Sequence, residues 1–344
     1  MSDLRVAVIG CGAVAQLVHL PSLAAISGMR TTLLIDTDVP RAAGLARAFA
    51  VPATGTDYRE AIGRVDAAII AVPHHLHAHI STELLDGGVH VLVEKPMALH
   101  AGECDAMIAA AEAAGRVLAV GLLRRFHDSL RFAKSAIDTG LIGRLKKVEI
   151  REGAAYRWML ASDAMFKRPA GGVLADAGAH VLDLLVWWFG DCEILSYRDD
   201  AAGGVEADCE IRVGLPDGVG AVVALSRTRD LPGTALLEGH YGVLEVGTKT
   251  DSTVRLAVGD RRTVLAGKPI EPGGAPPASL VDLCTRQLED FRDAIRDGRP
   301  PRVTGGEGRK SVALIETCYA MRQPIEYPWE APLPVSAPVV TVEA

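Results

Sequence analysis

The stretch Val8-Ile9-Gly10-Cys11-Gly12-Ala13-Val14-Ala15 constrains this chain more than any other. It reads Gly-x-Gly-x-x-Ala directly after an apolar run, Leu4 to Ile9, and it opens a helical pattern from Ala13 to Ile26. Gly10 permits a tight turn, and Gly12 has no side chain to block a pyrophosphate from the backbone. Ala15 is small enough for close helix–strand packing. The helix start, with Ala13 and Val14, offers unpaired N–H groups and a partial positive charge. Strand, glycines, helix and a second run, Thr31 to Ile35, form one βαβ unit. In that context a glycine trio reads as a dinucleotide site and not as a mere turn.

Asp36 ends the second run, 24 positions after Gly12. A carboxylate there accepts hydrogen bonds from ribose hydroxyls and repels a 2′-phosphate, which favours NAD over NADP. The same side chain can cap the helix that follows Pro40. Arg41 lies close enough in sequence to accept a phosphate, so NADP stays open as an alternative.

Further apolar runs at Ala67–Val72, Val89–Val93 and Val117–Val120 alternate with helical patterns at 77–86 and 101–114. Strand alternating with helix implies parallel strands joined by right-handed crossovers, with the sheet covered on both faces. Residues 1–122 therefore read as a doubly wound α/β domain. The pattern then changes. Helices are expected over 130–138 and 173–189, and a strand over 146–151. From Ala207 to Leu215 every odd residue is apolar, the mark of a half-buried strand. Strands continue to about residue 265, and helical patterns return at 279–296 and 308–321. Residues 123–330 thus read as an α+β domain with a large, mainly antiparallel sheet, and 331–344 as an extended tail. The polar face of that sheet is free to meet solvent or a second subunit, so a homodimer or homotetramer is expected.

The 344 residues carry a net charge of −7 without a basic stripe, which argues against nucleic acid as a partner. No apolar run reaches the roughly 20 residues needed to span a bilayer. The chain passes from Met-Ser-Asp straight into a strand pattern, so a cytoplasmic location is expected. Six scattered cysteines contain no Cys-x-x-Cys pair and read as free thiols.

Two further motifs accompany the glycine turn. Val93-Glu94-Lys95-Pro96 ends the fourth strand, and Gly171-Gly172-Val173-Leu174-Ala175-Asp176-Ala177-Gly178-Ala179-His180-Val181-Leu182-Asp183 opens a helix. With Ala71-Val72-Pro73, His77 and Tyr319, they make the chain resemble the glucose–fructose oxidoreductase / inositol dehydrogenase (Gfo/Idh/MocA) family over nearly its full length. The resemblance implies Lys95, Asp176 and His180 as the catalytic group. It implies Val72, Pro73, His74, Glu94 and Lys95 as cofactor contacts, and a cis Lys95–Pro96 bond. Side-chain chemistry agrees. Asp176 and His180 are four apart on a helix, a histidine suits proton transfer, and a nearby carboxylate can orient it. Lys95 stands at the carboxyl end of a parallel strand, where ligands of open α/β sheets bind.

Other readings of these residues stand beside this one. A Lys-Pro at a strand end also serves as a turn, and an Asp/His pair also serves as a surface hydrogen bond or as two metal ligands. No third ligand of metal-site spacing accompanies the pair, so no metal is expected. His75, His77 and His79 read as surface or helix positions. Where relatives often carry Gly-x-Asn-x-Arg, this chain has Gly121-Leu122-Leu123-Arg124-Arg125, with Leu123 at the asparagine position. Arg125, Tyr156 and Trp158 are candidate substrate contacts, the two aromatics being equally at home in a core. The activity implied is NAD(P)-dependent hydride transfer to or from a sugar, inositol or sugar derivative. Alternatives within the resemblance are a glycosidase working by transient oxidation and a non-catalytic nucleotide-sensing regulator.

Overall fold

The computed structural model describes residues 2–155, 166–167, 171–251, 253–259, 263–269 and 279–325. Tyr156, Trp158 and the 331–344 tail lie outside the described residues. The first sheet holds β1 (Leu4–Ile9), β2 (Met29–Ile35), β3 (Thr54–Gly55), β4 (Ala67–Ile70), β5 (His90–Val93) and β6 (Leu118–Val120). Their order is β3-β2-β1-β4-β5-β6, all parallel. The order reverses between β1 and β4, the place where doubly wound sheets open a crevice for ligands.

The strands are unbroken apolar runs because both faces are covered. On one face Val6, Val8, Leu34 and Ile69 pack under α1 (Leu20–Ala25) and α2 (Val39–Ala48). On the other, Ala7, Ile35, Ile70 and Val93 pack under α3 (His77–Asp86) and α4 (Ala101–Ala114). The helix expected from Ala13 to Ile26 forms, with a wide turn inside it over Ala15–His19, where Leu20 N–H reaches back to Ala15 O. Pro21 is the physical reason. It lacks an N–H and its ring crowds the carbonyl four residues earlier, and a widened turn relieves both.

Among the described residues the second sheet has nine strands: β7 (Leu145–Gly153), β8 (Glu193–Asp199), β9 (Asp208–Gly214), β10 (Gly220–Ser226), β11 (Leu231–Gly239), β12 (Gly242–Gly247), β13 (Val254–Val258), β14 (Thr263–Gly267) and β15 (Arg322–Pro324). Their order is β14-β13-β12-β11-β7-β10-β9-β8-β15. Among these described strands, β7–β10 and β8–β15 pair in parallel and the others antiparallel. The inner face, including Ile150, Ile211, Val223 and Leu237, packs on α5 (Asp128–Asp138) and α6 (Ala179–Phe189). The outer face is open and mostly polar, with Lys147, Arg151, Glu210 and Arg212 exposed beside Leu195 and Val222.

Two late helices, α7 (Leu280–Asp297) and α8 (Gly305–Ala320), return to the first sheet. Cys284, Leu288 and Phe291 of α7 join the core beneath Val8, Ile69, Leu92 and Ala119. Val312 of α8 joins the opposite core. The sequence grouped both helices with the second domain; α7 buries its apolar stripe against the first sheet, while α8 is shared, with Val312 in the first sheet's core and Ile315 and Cys318 in the second's. The cause is that α3 and α4 lie on the same side of the first sheet, leaving β4–β6 bare on the other until α7 covers them.

Candidate active site

The glycine turn forms as its residue types require. Gly10 has φ +92°, and a Cβ there would strike the Ala71 carbonyl, at the edge where β1 and β4 diverge. Asp36 caps two backbone groups: Oδ2 accepts from Cys11 N–H at 2.7 Å and Oδ1 from Asp38 N–H at 2.8 Å. Helix α2 is capped by Asp38, which accepts from Arg41 N–H. Arg41 bridges both carboxylates, 3.4 Å from Asp36 and 2.8 Å from Asp38. The Asp36 carboxylate is thus fixed at the end of β2 with a cation against it. A glycine-lined turn, a helix start and this carboxylate fit a dinucleotide; Gly10, Gly12, Ala13, Val14 and Asp36 would hold it.

The ends of β4 and β5 carry the next group. Val72 and Pro73 follow β4, and His74 opens a short turn leading into α3. The Lys95–Pro96 peptide is cis. Glu94 faces inward: its Oε2 accepts from Lys95 N–H at 3.1 Å and its Oε1 meets His19 Nε2 at 2.8 Å. A Cβ at Gly121 would come within 3.1 Å of the Glu94 side chain, which explains that glycine. Behind His19, Cys284 of α7 lies 3.5 Å from Nδ1. Burial opposes a charge on His19, but Cys284 and Glu94 raise its pKa to about 10.

Asp176 lies in a second wide turn, Leu174–Gly178, and His180 in the first turn of α6. Glu206 fixes the start of this segment. Its carboxylate accepts from Leu174 N–H at 3.0 Å, Tyr319 O–H at 2.9 Å and Arg322 at 3.1 Å, and it fills the space a Cβ at Gly172 would need. Lys95 Nζ donates to Asp176 Oδ1 at 2.5 Å and to its carbonyl at 3.1 Å. Arg227, just beyond β10, donates to Oδ2 at 2.9 Å. Burial opposes a charge on Asp176, yet Lys95 and Arg227 hold its carboxyl well below the usual carboxylate range. Both carboxylate oxygens therefore face cations, and Asp176 does not orient His180 as expected. His180 Nδ1 has no hydrogen-bond partner among the described residues. Burial, then Arg124 and Lys95, push the His180 pKa well below the ordinary value, so its imidazole is neutral at physiological pH.

Arg125 is placed differently from the sequence expectation. Its Nε and one terminal nitrogen hold Asp183 at 3.0 and 2.6 Å, and the other terminal nitrogen holds Glu307 at 2.6 Å. Each nitrogen has a carboxylate partner, and the side chain is 4% exposed. It ties α6 to α8. Arg124 pairs with Glu152 in a bidentate contact of 2.8 and 2.6 Å, backed by Thr248. Sequence reasoning missed Arg227, Glu206 and His19. Only Arg227 left a signal, its position at the end of an alternating strand.

Residues 4–122 match the oxidoreductase family with an NAD-binding Rossmann fold, and residues 130–244 match the GFO/IDH/MocA C-terminal domain. Inositol 2-dehydrogenase 2 of Saccharopolyspora erythraea is 31% identical over 92% of this chain and 92% of its own. Rhizopine catabolism protein MocA of Rhizobium meliloti is 27% identical, covering 92% of this chain and 94% of that protein. A 3-ketoreductase of Actinomadura kijaniata, solved with NADP and TDP-benzene, superposes with a TM-score of 0.83 at 21% identity, over 95% of this chain and all of that one. Fold and relatives define an NAD(P)-dependent dehydrogenase or reductase. The chain belongs to the GFO/IDH/MocA oxidoreductase family. No described helix is long and apolar enough to cross a membrane.

Proposed function

We propose that this enzyme moves a hydride between nicotinamide and a hydroxyl- or carbonyl-bearing carbon of a sugar, inositol or sugar derivative. Residues 1–122 bind the dinucleotide and 123–330 bind substrate. The observation that carries this is the convergence of Lys95, Asp176 and His180 at the carboxyl end of β5. Bound nicotinamide supplies or accepts the hydride. Neutral His180 takes the hydroxyl proton during oxidation and returns it during reduction. Lys95, held by Asp176, stabilises negative charge developing on the reacting oxygen. Asp176 stays ionised between two cations and fixes the lysine. The Asp36 carboxylate favours NAD, and Arg41 beside it leaves NADP usable. An inositol dehydrogenase and a ketoreductase among the similar proteins support the substrate class. The open outer face of the second sheet supports a homodimer or homotetramer, and the chemistry suits a cytoplasmic setting.

A screen of sugars, inositols and nucleotide sugars for NAD(P)H absorbance change tests this. Lys95→Ala and His180→Ala should each lower kcat by roughly 10²- to 10⁴-fold while NAD binding is kept. Turnover unchanged in both variants, or glycoside cleavage without net NADH, would sink the assignment.

A further inference from the structure

Strands β4 and β5 are parallel neighbours and end side by side. Val72-Pro73 extends the first and Lys95-Pro96 the second. Between these two turns lies His77, the first residue of α3, with 0% of its surface exposed. The sequence read it as a surface or helix position; it opens the helix and is buried. Its Nδ1 is 2.9 Å from the Pro96 carbonyl oxygen, and its Nε2 is 2.9 Å from the Val72 carbonyl oxygen.

Both partners only accept hydrogen bonds, and a neutral imidazole carries a single N–H. In the neutral ring, one nitrogen would turn its lone pair onto a carbonyl lone pair inside the core, at the cost of a buried unsatisfied acceptor. A ring protonated on both nitrogens satisfies both carbonyls. Burial, the largest influence, and the Lys95 ammonium lower the His77 pKa from its ordinary value, against the two carbonyls and the Glu94 carboxylate. The second proton is called for by the two acceptors at 2.9 Å and is held against burial. The His74 ring, 5.6 Å away and tilted, completes the surroundings. Charge-assisted bonds are roughly twice as strong as neutral ones, which gives this clamp its hold.

We propose that His77 is a positioning residue for Lys95: protonated on both ring nitrogens, it ties the lysine's turn to the turn that lines the cofactor. The lysine ammonium is thereby held at a fixed offset from the crevice mouth. This role rests on the proposed hydride transfer, in which Lys95 touches the reacting oxygen.

The test uses the full chain, labelled with ¹⁵N-histidine. At pH 7 the His77 signals, assigned by their loss in His77→Gln, should show two protonated nitrogens. One protonated nitrogen overturns the proposal. In His77→Gln, which keeps one donor, reductive methylation of Lys95 read by mass spectrometry should quicken at least roughly fivefold, the loss of one of two fixing bonds. An unchanged rate overturns the proposal too. His77→Asn serves both measurements if the glutamine variant does not fold. In turnover, kcat should fall roughly tenfold or more with NAD affinity kept, because small displacements of a catalytic group are costly. Neither labelling readout needs a substrate. Should the enzyme turn over no alcohol, the hydride-transfer reading falls while the clamp is still decided. If turnover is robust and both labelling readouts fail, the clamp alone falls.

Discussion

Arg227 shows how much a single side chain can decide. Asp176 faces Lys95 on one oxygen and Arg227 on the other, 2.5 and 2.9 Å away. Removing one cation lets burial raise the carboxyl toward its ordinary range. Arg227→Gln should therefore move the acid limb of the kcat/KM profile to higher pH, and Arg227→Lys should recover part of the shift. An acid limb at the same pH in Arg227→Gln would show that Asp176 is held by Lys95 alone. Residue-scale features were legible in the sequence wherever chemistry and local motif coincide. Lys95 and Asp176 meet as their motifs implied, and Gly10 adopts the positive φ its turn demands. Partners distant in the chain were not legible. Arg125 looked like a substrate contact because the sequence does not reveal that Asp183 and Glu307 converge on it.

Among the elements, the parallel strands followed from unbroken apolar runs and the helices α3 and α4 from their stripes, to the residue in both cases. The short β3 and the late β15 escaped because two or three residues carry no readable period. Strand β5 opens on a residue with a testable pH signature. His90 Nδ1 accepts a hydrogen bond from Val117 N–H at 2.9 Å, the residue that leads into β6. Burial, with Arg116 nearby, lowers its pKa from 6.5 to about 4. The unfolded chain binds this proton near pH 6.5 and the folded chain only near 4. Its contribution to stability is thus complete above 6.5 and shrinks as pH falls from 6.5 toward 4. Thermal unfolding of the wild type should show that loss, and His90→Gln should flatten it. Equal pH dependence in the two proteins would assign the acid sensitivity elsewhere.

At the scale of the whole molecule, the two sheets are joined by buried charge as well as by apolar packing. Arg125 lies between Asp183 of α6 and Glu307 of α8, and its ring neighbour Trp187 stands 5.6 Å from the guanidinium. Arg125→Met leaves two carboxylates without their cation, and breaking a buried pair from one side costs about 3–5 kcal/mol. A large drop in the unfolding midpoint is expected; the double variant Arg125→Met, Asp183→Leu should recover much of it. A single variant as stable as the wild type would show that the tie is solvent-screened.

The return of α7 to the first sheet has a consequence for how the chain is made. A ribosome delivers Leu92 and Ala119 early, yet their cover, Leu288 and Phe291, emerges nearly two hundred residues later. For most of its synthesis the nascent nucleotide-binding half carries a bare apolar flank. Residues 1–122 expressed alone should bind a hydrophobic dye and associate with one another, and adding the segment 280–297 in trans should suppress both.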